Sequence, residues 1–406
     1  MERIHEIFLN ILCTAMQGKK LTGQEEITQQ QWEEILRLAR AHNLMPMVYN
    51  ASFSHPSLEA SPALRSQLRQ LVMLQTVKTN EFLQLYSRLA AAGCTPLVVK
   101  GLVCRALYPQ PDLRLSTDED LLIPVDQFEL CRQTMLDFGM DSEMEKIQQE
   151  EAYEVPFRKK DGALYVELHK SLFPPQSEAY GHWNSFFEKA GERAVECQGV
   201  QTLGHTDHMF YLICHAFKHF IHSGFGIRQL CDIAMFANAY GRQIDWGRVY
   251  KNCCEINAQT FAATLFVIAE KYLVFDTEKA CVPQNFMAQA VDETNMLQDL
   301  LSAGVFGGAT MSRKHSSNMT LDAVTADKQG KKAGRSLKNT LFPSAQRLKG
   351  RYTYLEKRPY LLPVAWTSRI LGYLKETTIT IDNTAIDSVK TGSHRVALLK
   401  EYKIIK

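Results

Sequence analysis

Two aspartates stand one residue apart directly before an apolar run, and this feature constrains the fold more than any other. The segment is Asp118-Glu119-Asp120, followed by the apolar residues 121–123. Because side chains alternate across a strand, a strand here directs Asp118 and Asp120 to the same side. Like charges held this close repel each other, and carboxylate oxygens suit Mg²⁺ or Mn²⁺. The pattern therefore predicts a cation site, with an acidic turn before a strand as the alternative.

A second segment, upstream of the aspartates, combines a strand pattern with a Lys-Gly pair. Residues 95–99 predict a short buried strand that ends at Lys100-Gly101, and residues 102–108 continue at helical spacing. A glycine at the start of a helix leaves backbone amides free for an anion, and Lys100 adds a positive charge. An ordinary turn is the alternative, since most Lys-Gly pairs are turns.

A third segment, downstream, predicts a β-hairpin. Residues 153–158 and 163–169 read as two strands that flank an Asp-Gly turn. Period two places Tyr165, Glu167 and His169 on one face. Glu167 is thus a candidate third carboxylate, and a solvated strand face is the alternative. His169 could hydrogen-bond an acid, contact a phosphate or orient an acceptor, or it could be a satisfied structural group.

In this order the three segments resemble the nucleotidyltransferase domain of the DNA polymerase β superfamily. They are similar to a bacterial family described as uncharacterised nucleotidyltransferase, and the similarity extends to residues 208–232 and to parts of 341–366. Three positions depart from the family pattern: Glu119 replaces an apolar residue, Glu167 stands where aspartate is frequent, and Leu102 replaces a small hydroxyl residue. The resemblance is carried by Lys100-Gly101, Tyr108, Arg114, Asp118, Asp120, Glu167 and His169.

The resemblance implies a metal-dependent enzyme that moves a nucleoside monophosphate from an NTP to a hydroxyl acceptor and releases pyrophosphate. The acceptor is a small molecule, RNA or protein, and the sequence does not choose among them. In this interpretation Arg114 contacts substrate phosphate, although it could equally pair with an acid to hold its loop. Asp118, Asp120 and Glu167 are the catalytic residues and hold Mg²⁺ or Mn²⁺, while Lys100, Gly101, Arg114 and His169 bind the nucleotide.

Helical periodicity brackets the mixed segment on both sides and predicts an α+β fold. We expect a small mixed β-sheet nucleotidyltransferase core flanked by N-terminal and C-terminal helical regions. The expected divisions are a helical region over residues 1–92, the α/β core over 93–200, a helical domain that covers the cleft over 201–310, and a basic linker with a C-terminal region over 311–406.

Composition limits the partners. The 46 lysines and arginines nearly balance 44 aspartates and glutamates, so net charge gives no sign of a nucleic-acid binder. Residues 328–351 are basic and contain no acid, which favours a solvated connection over contact with RNA. The ten cysteines lack Cys-x-x-Cys spacing, which predicts reduced thiols and a cytoplasmic protein. The longest apolar stretch, 261–275, is too short and too charged to span a membrane.

Two rival functions remain open. His215 and His219 lie one helical turn apart, near His208 and His222, and with Asp232 they could bind a transition metal in a phosphohydrolase. The His-Asp pair that such an enzyme requires is missing. The other rival is a catalytically inactive nucleotide-binding or interaction protein, for which Glu119 and the missing hydroxyl are signs. Retention of all three acids favours an enzyme.

Overall fold

The centre of the protein is one seven-stranded mixed β-sheet. The computed structural model describes residues 2–22, 27–53, 55, 61–304, 311–330, 345–348, 352, 354–368 and 385–406. The strand order is β3-β4-β5-β2-β1-β7-β6. Neighbours are antiparallel except for β1 with β7 and β2 with β5, which are parallel. The strands are β1 Leu97–Val99, β2 Glu119–Leu122, β3 Met140–Asp141, β4 Glu154–Lys159, β5 Tyr165–His169, β6 Val195–Cys197 and β7 Val200–Thr202.

Helices lie on both sides of this sheet in the chain, which confirms the predicted α+β class. Four helices precede the sheet: α1 Arg3–Met16, α2 Gln29–Ala41, α3 Met45–Ser52 and α4 Pro62–Ala91. Three lie between its strands: α5 Gly101–Arg105, α6 Phe128–Asp137 and α7 Lys146–Glu151. Those that follow are α8 His205–His222, α9 Ile227–Tyr240, α10 Trp246–Glu255, α11 Gln259–Tyr272, α12 Thr277–Ala280, α13 Gln284–Met287, α14 Thr294–Ala303 and α15 Met311–Lys328. Short helices at Ala345–Leu348, Tyr354–Lys357 and 362–368 precede α16, Ala385–Glu401.

The predicted hairpin is present at the predicted position, and the structure gives its register. Strands β4 and β5 pair Glu154 with His169 and Pro156 with Glu167, so these side chains share one face of the sheet. Two helix ends lie beside glycines. Helix α4 ends before Gly93, at φ +90°, and α6 ends before Gly139, at φ +85°. Positive φ is the conformation that glycine adopts at a helix end without steric cost.

The two faces of the sheet carry different chemistry. The face that holds Leu121, Val166 and Leu168 is apolar, and all three side chains are fully buried. Helix α4 lies on this side of the sheet. Its Lys78 donates to the Ser116 carbonyl oxygen at 2.7 Å, beside the buried Glu119. The opposite face carries the predicted polar residues. Burial of the first face therefore fixes which side chains point to the second.

The end of the chain packs back onto the main core. Arg395 of α16 pairs with Asp299 of α14 at 2.8 Å and donates to the carbonyl oxygen of Phe220 on α8. Tyr402 is buried in the same core, whereas Leu348 belongs to a small separate apolar cluster. The four predicted regions remain predictions. Most of the basic run 328–351, and residues 341–344 and 351 of the predicted similarity, lie outside the described residues.

Two global features concern membranes and thiols. Each helix in the described part of the chain is too short or too polar to traverse a lipid bilayer. All ten cysteines lie in that part, and none of them forms a disulfide.

Candidate active site

A cleft of about 690 Å³ separates the polar face of the sheet from α8. Parallel pairing of β2 with β5 places Asp120 opposite Glu167, and side chains at paired positions lie on one face. The sheet and its loops contribute most of the wall, and one face of α8 supplies the rest. The polar side chains that line the cleft are Lys100, Thr117, Asp118, Asp120, Glu154, Arg158, Tyr165, Glu167 and His169 from the sheet side, and Tyr211, His215, Lys218 and His219 from α8.

The predicted acids meet in this cleft. Asp120, Glu167 and His169 form a group of three metal-binding side chains whose ligand atoms lie within 4.8 Å of one another. The His169 Nε2 is 3.1 Å from Asp120 Oδ1 and 3.6 Å from Glu167 Oε2. Asp118 lines the same cleft outside this group and makes no hydrogen bond or ion pair with a described residue. The closest group thus contains His169 where the sequence predicted Asp118.

Charge differs among these groups because their neighbours differ. Burial and the Asp120 charge raise the pKa of Asp118. Burial also opposes ionisation of Asp120, but Lys100 and His169 outweigh it and hold the Asp120 pKa below its usual range. Burial lowers the pKa of His169, yet its hydrogen bonds to Asp120 and Glu167 prevail and raise it to about 9. Without a bound ion, His169 is therefore a protonated donor to Asp120 at neutral pH; an ion that took Nε2 as a ligand would displace this proton.

The donor chemistry fits a hard divalent cation. Asp118, Asp120 and Glu167 offer carboxylate oxygens, and oxygen ligands suit Mg²⁺ or Mn²⁺. The raised pKa of Asp118 indicates a position where further negative charge is unfavourable and positive charge is favoured. These three residues could hold such an ion.

Lys100 already balances one of the acids. Its Nζ lies 2.8 Å from Asp120 Oδ2 and 3.1 Å from His215 Nε2. Its backbone, at φ +57° and ψ −111°, is in a region that favours glycine. Non-glycine residues persist in such conformations only where the surroundings enforce them, and such residues cluster at functional sites. The turn between β1 and α5 therefore holds a strained lysine whose ammonium points at the acids.

A chain of hydrogen bonds from β7 and α8 supports this strained turn. The Thr202 hydroxyl donates to the Val98 carbonyl oxygen at 2.6 Å, so it accepts from His208 Nδ1 at 3.1 Å. His208 Nε2 is then free to accept the Lys100 amide proton at 3.2 Å. Burial lowers the pKa of His208 to about 3, so the ring stays neutral, as this arrangement requires. His208 is thus a positioning residue for Lys100.

The Glu119 side chain occupies space that only a glycine at position 101 leaves open. A Cβ atom on Gly101 would lie 1.9 Å from Glu119 Oε2, so the glycine makes room for that carboxylate. Glu119 accepts from the Leu102 amide at 2.8 Å and from Arg105 Nη2 at 2.6 Å. One of the amides predicted to bind phosphate is therefore already satisfied within the protein. Glu119, taken from the sequence as a sign of decay, caps α5 instead.

Arg114 adopts the alternative that the sequence left open. Its guanidinium forms a two-point pair with Asp232, at 3.0 Å from Nε and 2.5 Å from Nη2, and Tyr108 also donates to Asp232 at 2.8 Å. Arg114 is buried behind the acids, where it lines a cavity of about 30 Å³ together with Asp118 and Lys100. Contact of Arg114 with substrate phosphate stays a prediction.

The predicted cluster of four histidines on α8, His208, His215, His219 and His222, does not assemble a second metal site. His208 is bound to Thr202 and Lys100, and His222 Nε2 lies 2.8 Å from the Tyr180 hydroxyl. His215 and His219 approach to 3.3 Å between Nε2 atoms, but the pair lacks Asp232, which is bound to Arg114. Burial holds the pKa of His215 and of His219 well below the usual value, so both rings are neutral. Among the described residues, the one group of three metal-binding side chains lies elsewhere, around Asp120.

Sequence reasoning missed two cations and an acid of the cleft. Lys218 lies on α8, while Arg158 and Glu154 lie on β4 on the same sheet face as Glu167. Period two along 154–158 contained a signal for the β4 residues. Lys218 could be assigned only after the buried face of α8 was known.

The fold and the site define a class: an α+β protein whose central sheet and covering helix enclose carboxylates that could hold a divalent cation. A family described as uncharacterised nucleotidyltransferase matches residues 28–274, which is more than half of the chain. The chain belongs to this family, as its sequence motifs indicated. Searches of curated proteins and of solved structures found no match. The predicted similarity within 341–366 lies beyond the matched range.

Proposed function

We propose that this protein is a metal-dependent nucleotidyltransferase that moves a nucleoside monophosphate from an NTP to a hydroxyl acceptor and releases pyrophosphate. The observation that carries this proposal is the pairing of Asp120 with Glu167 across adjacent parallel strands, with Asp118 facing the same cleft. Membership of a nucleotidyltransferase family supports it independently. Assignment to the DNA polymerase β superfamily is part of the same proposal.

In this mechanism the three acids hold the metal ions, and one of them lies where the acceptor hydroxyl can give up its proton. Asp118, Asp120 and Glu167 would bind Mg²⁺ or Mn²⁺, which when bound lowers the pKa of a coordinated hydroxyl and neutralises phosphate charge. Glu167 is the more exposed acid of the group, with 25% of its side chain accessible against 3% for Asp120. It is therefore the acid that the acceptor hydroxyl can reach. Glu167 would either help to bind the metal ion that carries this hydroxyl or act as the base that accepts its proton.

The remaining groups orient the nucleotide. Lys100, held by its strained turn and by His208, directs an ammonium into the cleft beside Asp120. Protonated His169 fixes the other oxygen of Asp120 and keeps that carboxylate in one orientation. Gly101 allows the tight turn, and Arg114 braces the loop that carries Asp118 through its pair with Asp232. Preorganised charge of this kind is the main contribution that a protein makes to phosphoryl-type transfer.

The rival readings differ in what they predict for the acids. An inactive nucleotide-binding protein has no need of three carboxylates in one cleft, and Glu119, the strongest sign of decay, has a structural role. RNA, a small molecule and a protein remain open as acceptors. The NTP base is open as well.

The test is incubation of the protein with each α-labelled NTP, Mg²⁺ or Mn²⁺, and a lysate as the source of acceptors. Asp118→Asn should reduce label transfer by a factor of about 100 or more, because positioning of phosphate charge is lost. Asp126→Asn is the matched control, since Asp126 is exposed and outside the cleft. Equal transfer by Asp118→Asn and the parent, or no transfer by the parent with any NTP and either metal, would refute the proposal.

A further inference from the structure

Helix α8 presents a polar stripe to the cleft, and this stripe accounts for the histidine cluster of the sequence. Tyr211, His215, Lys218 and His219 recur at the spacing of one helical face, and all four line the cleft opposite the acids. The rest of α8 is largely buried and apolar. Helix α8 thus packs its other faces into the core. Its polar stripe adds a lysine to the wall of the cleft opposite the carboxylates.

The lysine of the sheet side is not free to neutralise a second anion. Lys100 Nζ contacts Asp120 at 2.8 Å and His215 at 3.1 Å, so its positive charge is already balanced within the protein. His215 and His219 are neutral because burial holds the pKa of each well below the usual value. The stripe therefore offers one full positive charge to a ligand, that of Lys218.

Lys218 differs from other partly buried lysines of the described chain. Lys78 donates to the carbonyl oxygens of Ser116 and Thr117 at 2.7 and 3.1 Å, and Lys170 donates to those of residues 149 and 150 at 2.7 Å each. Lys218 is half-buried, yet it makes no hydrogen bond or ion pair with a described residue. Burial accordingly lowers its pKa. A desolvated ammonium without a partner destabilises a fold and requires another reason to be there.

We propose that Lys218 binds the phosphate chain of the NTP, from the side of the cleft opposite the acids. This inference rests on the proposed function and assigns Lys218 a task that the sequence gave to Lys100. The polyanion would lie between the two walls, with its metal-bound oxygens toward Asp120 and Glu167 and another phosphate oxygen toward Lys218. Lys100 instead keeps Asp120 ionised and oriented.

The experiment measures binding by calorimetry in the full-length protein, with Mg²⁺ and the NTP that the labelling screen identifies, and separately with Mg²⁺ and inorganic triphosphate. Lys218→Met should weaken both affinities at least tenfold, and Lys218→Arg should recover part of the loss. Affinity for Mn²⁺ alone, followed by electron paramagnetic resonance, should change less than twofold. Lys251→Met is the matched control, because Lys251 lies on α10 and is 77% exposed.

Thermal unfolding adds a second measure that does not depend on catalysis. Lys218→Met removes an unpartnered, half-buried charge, so its melting temperature should equal or exceed that of the parent. A structural lysine would give the opposite result. Triphosphate and NTP affinities of Lys218→Met within twofold of the parent, or a melting temperature lowered together with an unchanged affinity, would overturn the inference.

The design separates failure of the inference from failure of the function. If the parent transfers label and Lys218→Met binds NTP as tightly, only the role of Lys218 is wrong. If the parent binds neither NTP nor triphosphate in the presence of either metal, the proposed function and the inference both fail. Steady-state kinetics should agree with the binding data, with a raised KM for NTP in Lys218→Met and a smaller change in kcat.

Discussion

The contact between His169 and Asp120 gives the most quantitative prediction. Asp120→Asn removes the negative charge 3.1 Å from His169 Nε2 and keeps the size of the side chain. Burial, which lowers the pKa of His169, is then opposed only by the more distant Glu167 and Glu154, at 3.6 and 3.7 Å. The pKa of His169 should fall from about 9 to about 7 or lower.

The magnitude for stability follows from the same pKa. A rise from 6.5 in the unfolded chain to about 9 in the folded protein corresponds to about 3 kcal/mol, at about 1.4 kcal/mol per pH unit. Because the folded pKa is the higher one, this stabilisation is fully present below pH 6.5, falls as the pH rises from 6.5 to 9, and is absent above that. Asp120 has the opposite pH dependence. Because its pKa is lower in the folded protein, ionised Asp120 stabilises the fold at neutral pH, and this stabilisation is lost at acid pH.

The assay is a histidine NMR titration in chelator, with His169 assigned from the spectrum of His169→Gln. Urea unfolding at pH 6 and pH 9.5 then compares the parent with His169→Gln, and the difference between the two proteins should shrink by about 3 kcal/mol at the higher pH. The control is Asp126→Asn, which should leave the His169 titration unchanged. A His169 pKa that stays near 9 in Asp120→Asn would refute the electrostatic reasoning for the site.

Three other substitutions test the geometry around the acids. Lys100→Gly should be more stable than Lys100→Ala by about 1 kcal/mol or more, because glycine tolerates φ +57°, and equal urea midpoints would contradict the strain. Gly101→Ala should cost about 1–3 kcal/mol, since its Cβ would overlap Glu119, and a cost below about 0.5 kcal/mol would show that the carboxylate moves aside easily. Arg114→Met should lower the free energy of unfolding by about 3–5 kcal/mol, because it leaves Asp232 buried without its cation. Unchanged stability with a raised KM for NTP would instead show that Arg114 contacts the substrate.

Local patterns in the sequence were sufficient for the elements that carry the acids. Period two along 163–169 placed Glu167 and His169 on one face, and the Asp-Gly pair marked the turn between β4 and β5. Glycines after α4 and α6 marked the helix ends. These features depend on neighbours within a few residues, so the chain states them directly.

Contacts between distant segments decided the roles of single residues. Asp120 and Glu167 became neighbours through parallel pairing of β2 with β5, a register that neither strand specifies alone. Arg114 forms an ion pair with Asp232, and Lys100 forms one with Asp120. In each pair the two residues lie on different elements, so local sequence does not reveal the partner. Electrostatic balance in a buried site depends on every charge that folding brings near.

The sequence by itself therefore determined the kind of fold, the family and three candidate acids, Asp118, Asp120 and Glu167, because alternation and motif order are local properties. Tertiary structure alone decided that Glu119 caps α5, that neutral His208 supports the turn at Lys100, and that Lys218 lines the cleft opposite the acids. The physical reason is that burial and pairing set protonation and availability, and both arise only when α8 packs over the sheet.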